Sequence, residues 1–415
     1  MKLLNSARSN SRQNLLIVLC WAVYTVAYLG RYSYNSNINL IMSDYGVDHT
    51  SAGLVSTFFF FGYGAGQFIN GMLCEKYNKR WLFPLVLLVS SIINLSLYLK
   101  VPFVLVKFLW LANAFLQSCL WSSIILMVSR YLDARHLKTA LMLLSTPAAL
   151  GTFLSYLAST LFVQMGHFRL SFLLGTLAMS VLAVLWLVLF PLIRDLPQQT
   201  ANTAKSAEKE AAEKTRPAMV VATFVGVLCV FAVIHNFIKD GLQTWVPSIL
   251  KESQGLSDSL SILLSVLLPL LGIFGTVLSL TVEKRVRNLV LLCSGAFAIA
   301  VPLVWLITRV MATSTVVTLL AFGVVVLLMH TINNVVTGIA PLRMRTKTNS
   351  GRLAGILNAC CYVGSTISSY LLGLLADAYG WDMVMYVFLA AAVVAVIIGV
   401  TFILVQRKKV RCVCS

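Results

Sequence analysis

The chain has 415 residues, 59% of them hydrophobic and 11% charged, with a mean hydropathy of +0.87. Apolar runs near 20 residues recur throughout, which excludes a soluble globular protein. The net charge of +18 does not point to nucleic acid, because the basic residues fall in short clusters between apolar runs, as a positive-inside topology requires.

The first apolar pattern runs from Leu15 to Met42, about 42 Å at ~1.5 Å per residue, and carries Arg31 a little past its middle. Basic residues before an apolar run outline a signal peptide, but this length and the internal guanidinium predict a retained helix. A charge at that depth costs about 2.5–3.5 kcal/mol on insertion scales and therefore faces a wet cavity or an anion.

Eleven further helices are expected at about 51–73, 82–99, 104–129, 139–163, 170–192, 218–250, 259–282, 288–308, 314–340, 353–376 and 383–405. The fold class is all-α, with twelve transmembrane helices. Twenty-five Lys and Arg fall on the side bearing the termini and five on the other, with Arg31 and Lys239 inside spans. That bias places both termini in the cytoplasm of a multi-pass protein of the plasma (inner) membrane. Residues 194–217 mix both charges with Ala and Thr and read as a solvated linker. Of the nine cysteines, Cys20, Cys119, Cys229, Cys293, Cys360 and Cys361 lie in expected spans, so no disulfide framework is indicated. The final Cys412-Val413-Cys414-Ser415 fits a prenylation box only superficially, since a polytopic chain needs no lipid anchor.

Residues 1–193 and 218–415 repeat one pattern. Arg31 is followed 44 residues later by Glu75-Lys76, and Lys239 is followed 44 residues later by Glu283-Lys284, an offset of 208. Two six-helix halves related along the membrane normal resemble the major facilitator superfamily, whose substrate site lies between the halves at mid-membrane.

The loop Gly71-Met-Leu-Cys-Glu75-Lys76-Tyr77-Asn78-Lys79-Arg80 is similar to that superfamily's Gly-x-Leu-x-Asp-Arg-x-Gly-Arg-Arg signature. The resemblance implies a conformational lock at Glu75, Lys76 and Arg80, with a second copy at Glu283 and Lys284. Tyr28-Leu29-Gly30-Arg31, Phe237-Ile238-Lys239-Asp240-Gly241 and Asn113-Ala-Phe-Leu-Gln117-Ser-Cys-Leu-Trp121 together resemble the organophosphate:phosphate antiporter family. That family includes carriers of glycerol 3-phosphate and hexose phosphates and a sensor member. The resemblance implies that Arg31 and Lys239 clamp the substrate phosphate. Several departures weaken the case for glycerol 3-phosphate in particular: Gln67 and Ala148 stand where some members have Lys and His, Pro269 falls near a position where some have Glu, and Asp240 is an added acid.

Two converging cations can neutralise a phosphate with charge-assisted bonds, Arg as a rigid fork and Lys as a movable point charge. Helical spacing sets Tyr24, Tyr28, Tyr34 and Asn35 with Arg31, and His235, Asn236 and Gln243 with Lys239. Gln117, His330, Asn333, Asn334, Thr337, Asn358 and Tyr362 are further candidates for lining, each equally suited to an interhelical hydrogen bond. Asp240 has two readings, a proton carrier or a structural group, the latter as partner of Lys239 or as a helix-end group near the outer face. The Gly62-Tyr-Gly64-Ala-Gly66 run sits in a span and predicts close helix packing rather than a phosphate loop.

No nucleophile–base set, metal-ligand cluster or ATP loop is present, so neither an enzyme, a cofactor nor a primary pump is expected. The expected function is secondary transport of a small anionic, phosphorylated metabolite by alternating access, in exchange for inorganic phosphate. Proton-coupled organic anion symport and a membrane sensor of the same ligand are the alternatives. The expected partners are the anion and the lipid bilayer, with no nucleic acid, and the chain is expected to act as a monomer.

Overall fold

The computed structural model describes residues 2–194, 196, 218–344 and 350–414. The linker expected over 194–217 lies almost wholly outside the described residues. The described residues form helices joined by short connections, the arrangement that satisfies backbone groups where water is absent. They are α1 (Lys2–Ser36), α2 (Ile38–Tyr45), α3 (His49–Leu73), α4 (Lys79–Tyr98), α5 (Phe103–Tyr131), α6 (Ala134–Leu143), α7 (Pro147–Gln164) and α8 (Leu170–Arg194). After the linker come α9 (Ala218–Gln254), α10 (Asp258–Ser265), α11 (Leu267–Arg285), α12 (Leu289–Val310), α13 (Thr315–Asn334), α14 (Ala340–Arg343) and α15 (Ser350–Cys414).

Among the described residues, eleven candidate spans are long and apolar enough to cross a bilayer, and the last of them covers 55 residues. Gly380 breaks that one with φ 77° and ψ 178°, a conformation open to glycine, and leaves two membrane-length pieces. The count therefore reaches the expected twelve. On α8 the outward stripe Leu177, Val181, Val184, Val188 and Leu192 is exposed, while Met179, Leu182, Ala183 and Trp186 are buried on the opposite face. Such a helix presents one apolar face to lipid and packs the other into the bundle.

Where the structure departs from the expected helix bounds, a local cause is visible. The first helix stops at Ser36 and resumes at Ile38, because Asn37 (φ −105°) turns its side-chain amide back to Ser33 O at 2.9 Å and to Ser159 Oγ at 2.9 Å. The fifth span divides into α6 and α7 just before Pro147. The eighth divides after Ser265, the residue whose carbonyl Pro269 cannot reach with an N–H. In the tenth, residues Val335–Ile339 form a π-turn immediately before Pro341, which leaves the Thr337 carbonyl without its helical donor.

Helices before the linker pack largely among themselves, α1 on α7 and α8, α3 on α5, and α4 on α8. Those after it do the same, α9 on α15, α11 on α13, and α12 on α13 and α15. The glycine run of α3 serves as expected: a Cβ at Gly66 would strike the Ser118 hydroxyl on α5. Contacts across the two groups run mainly through α3 against α15 and α7 against α10 and α11.

Candidate functional site

Between the two groups of helices lies a cavity of about 300 Å³, within the range of small-molecule sites. Arg31 from α1 and Lys239 from α9 both face it, as do Tyr28, Asp240 and Asn358. The two intramembrane cations thus meet at one space.

They are held differently. Gln117, fully buried on α5, turns its amide oxygen to Arg31 and accepts from Nε at 3.4 Å and from Nη2 at 3.3 Å. Its amide nitrogen is committed elsewhere, donating to Asn113 Oδ1 at 3.0 Å and to Ser90 Oγ at 3.3 Å. That fixes which end of the amide meets the guanidinium. Three rings complete the cage: Arg31 Cζ lies 4.3 Å from the Tyr28 ring centroid, 4.4 Å from Tyr63 and 5.0 Å from Phe59. Such faces attract a cation without neutralising its charge. Among the described residues Arg31 has no carboxylate partner.

Lys239 does have one. Its Nζ lies 3.3 Å from Asp240 Oδ1, with the two side chains 12% and 8% exposed. Asp240 Oδ2 also accepts from Ser365 Oγ at 2.5 Å and from Asn236 Nδ2 at 3.2 Å, which ties α9 to α15.

Several expected lining residues instead support the wall from behind. Tyr24 packs edge-on against Tyr28, with centroids 5.0 Å apart. Asn35 is buried and donates to Thr244 Oγ1 at 3.3 Å. His235 is fully buried, with Nδ1 2.7 Å from Phe231 O and Nε2 3.2 Å from Asn333 Oδ1. Asn334 donates to Ser279 Oγ at 2.6 Å. Tyr32, Phe60, Thr152, Gly272 and Thr276 line the cavity and were not singled out from the sequence. Gly272 and Thr276 do stand at i and i+4, a spacing that places them on one helix face.

One end of the bundle is closed between the two groups. His49, at the start of α3, sets Nδ1 2.7 Å from Asp377 Oδ1 and Nε2 2.8 Å from Glu252 Oε1. Thr50 N donates to Asp377 Oδ2 at 2.7 Å, and Trp381 Nε1 donates to Glu252 Oε2 at 2.8 Å. Deeper in, Ser248 Oγ donates to Asn39 Oδ1 at 2.6 Å and Thr57 Oγ1 to Thr366 O at 3.1 Å. Asn358 donates to Gln67 towards the opposite end. At that end Glu75, Lys76, Arg80 and Lys284 are exposed. Glu283 pairs with Arg343 of its own group of helices.

A bundle of membrane-length helices around a polar cavity lined from both groups is an architecture that membrane carriers share. The chain belongs to the Major Facilitator Superfamily, whose model matches residues 20–350, and it is a multi-pass integral membrane protein. It is 28% identical over 112 residues to the membrane sensor protein UhpC of Escherichia coli, a match spanning 27% of this chain and 25% of that protein. It is 22% identical to the glycerol-3-phosphate transporter of Bacillus subtilis, covering 90% of this chain and 89% of the relative. A hexuronate transporter of the same organism is 23% identical over 263 residues, which is 63% of this chain and 62% of the relative. The sensor and the glycerol-3-phosphate transporter agree with the organophosphate:phosphate antiporter resemblance. Among solved structures, an inward-facing bacterial homologue of the lysosomal transporter Spinster superposes with a TM-score of 0.73 at 14% identity, over 95% of this chain and 97% of that one.

Proposed function

We propose that the chain is a secondary transporter of a small organic anion, with phosphorylated metabolites the leading class and inorganic phosphate the exchange partner. Two six-helix halves, 1–193 and 218–415, rock about the central cavity, joined by the linker 194–217. The termini lie in the cytoplasm and the His49 end faces outward. The observation that carries this reading is the convergence of Arg31 and Lys239, one from each side of the linker, on a single cavity. An anion held by both keeps its partners as the halves move, and without it the uncompensated Arg31 charge resists closure. Exposed Glu75, Lys76, Arg80 and Lys284, with the Glu283–Arg343 pair, act as the lock at the cytoplasmic end. There they engage when that end closes.

Proton-coupled symport of an organic anion is the second reading, favoured by Asp240 beside Lys239 in the cavity. Sensing without transport is a third, motivated by the match to a membrane sensor. Counterflow in proteoliposomes with labelled phosphate esters and sugar carboxylates decides among them. Exchange that requires internal anion supports antiport, and uptake driven by a pH gradient alone supports symport. Binding with no flux under either condition identifies a sensor.

A further inference from the structure

We propose that Asp240 sets the charge of the anion: the cavity is matched to a substrate carrying one negative charge, a sugar carboxylate or the monoanion of a phosphate ester. This rests on reading the cavity as an anion site.

Three fixed charges line the cavity, Arg31, Lys239 and Asp240. Lys239 is already matched by Asp240 at 3.3 Å. Among the described residues Arg31 meets the Gln117 amide oxygen, the Tyr63 hydroxyl and the faces of Tyr28, Tyr63 and Phe59, all neutral groups that do not cancel its charge. Asp240 is held in place by Ser365 and Asn236 as well as by Lys239, so leaving the cation breaks three interactions. The site therefore presents one uncompensated positive charge. A monoanion makes the occupied cavity neutral. A dianion leaves an excess negative charge beside a buried carboxylate, which is costly in a low-dielectric site. The two cations are consequently unequal: Arg31 attracts the anion, while Lys239 offers its remaining donors without a free charge.

Two esters of one shape separate charge from size. Glucose 6-sulfate carries a single negative charge, whereas glucose 6-phosphate carries two at about pH 8. Their affinities are measured calorimetrically at that pH for the detergent-solubilised full chain. The wild type is expected to favour the sulfate ester by about tenfold or more, and Asp240→Asn to favour the phosphate ester. The double variant Lys239→Gln/Asp240→Asn restores a net charge of one, so it returns to the sulfate ester at lower affinity. A wild type that favours the phosphate ester overturns the inference. So does an unchanged ratio in Asp240→Asn when Arg31→Gln has lost both ligands, and the anion site then stands without the charge rule. Undiminished binding of both esters by Arg31→Gln, or binding of neither by the wild type, removes the anion site and this inference with it.

Discussion

Gln117 presents one amide oxygen to two nitrogens of Arg31, at 3.4 and 3.3 Å, from a fully buried position on α5. The contact orients the guanidinium fork and leaves its charge intact.

Replacing Gln117 by Leu is therefore expected to weaken anion binding by about tenfold, the scale of a lost hydrogen bond to a charged group. Gln117→Glu is expected to weaken it further, because a carboxylate there gives Arg31 an internal partner that competes with substrate. Titration calorimetry with the preferred ester ranks the two variants. Equal affinities would argue that Gln117 acts by shape alone.

The His49 latch makes closure of its end depend on pH. A neutral imidazole donates one hydrogen bond, whereas the imidazolium donates to Asp377 and Glu252 together. Raising the pH far enough to deprotonate the imidazolium removes a donor and loosens the closed end. A single reporter cysteine at Thr57, in a background without the native cysteines, is labelled in wild type and in His49→Leu at each pH, and the ratio of the two rates cancels the rise in thiolate. The wild type is expected to lag far behind His49→Leu at low pH and to approach it as pH rises. A ratio independent of pH would show that the latch does not need the second proton.

Close approach of α3 to α15 is a second condition for closure. A Cβ at Gly53 would collide with the Ser369 carbonyl and come within 2.9 Å of the Trp245 ring. Gly53→Ala is expected to hold this end open, raising Thr57 labelling several-fold while the fold remains intact. Unchanged labelling would show that the backbone shifts at little cost.

At the same end Asp44, in the last turn of α2, joins that helix to two connections, accepting from Arg169 Nη2 at 2.6 and 2.7 Å and from Lys100 Nζ at 3.0 Å. Partial burial pushes its carboxyl up, but the hydrogen bonds from Arg169 and Lys100 outweigh it and hold the group below the ordinary carboxylate range. A depressed value contributes stability above the unfolded carboxylate's titration, and that stability is lost as pH falls through the folded one. Thermal melts of Asp44→Asn in detergent are expected to lie below wild type at neutral pH and to converge with it under acid. A constant gap across pH would assign the effect to packing.

Length and polarity made the spans and the intramembrane cations legible, because an apolar run must cross the bilayer and a charge within one needs a reason. The helix breaks at Asn37 and Ser265 were not legible, since the first rests on a contact with Ser159, 122 residues away, and the second on one proline within an otherwise apolar run. The inward face of each helix depends on its rotation against neighbours, so Tyr24, Asn35, His235 and Asn334 fell behind the wall while Tyr32 and Thr152 reached it. The His49–Asp377 contact joins residues 328 positions apart and has no local signature. Asp240 was visible as an acid beside Lys239, but its bond to Ser365 required the fold.

Counterflow of a labelled phosphate ester or sugar carboxylate in proteoliposomes holding Arg31→Gln or Lys239→Gln reads the anion clamp itself. Exchange is expected to fall at least about a hundredfold in Arg31→Gln and markedly in Lys239→Gln, as loss of charge-assisted partners in a desolvated site requires. Wild-type exchange in both variants would show that neither cation holds the substrate.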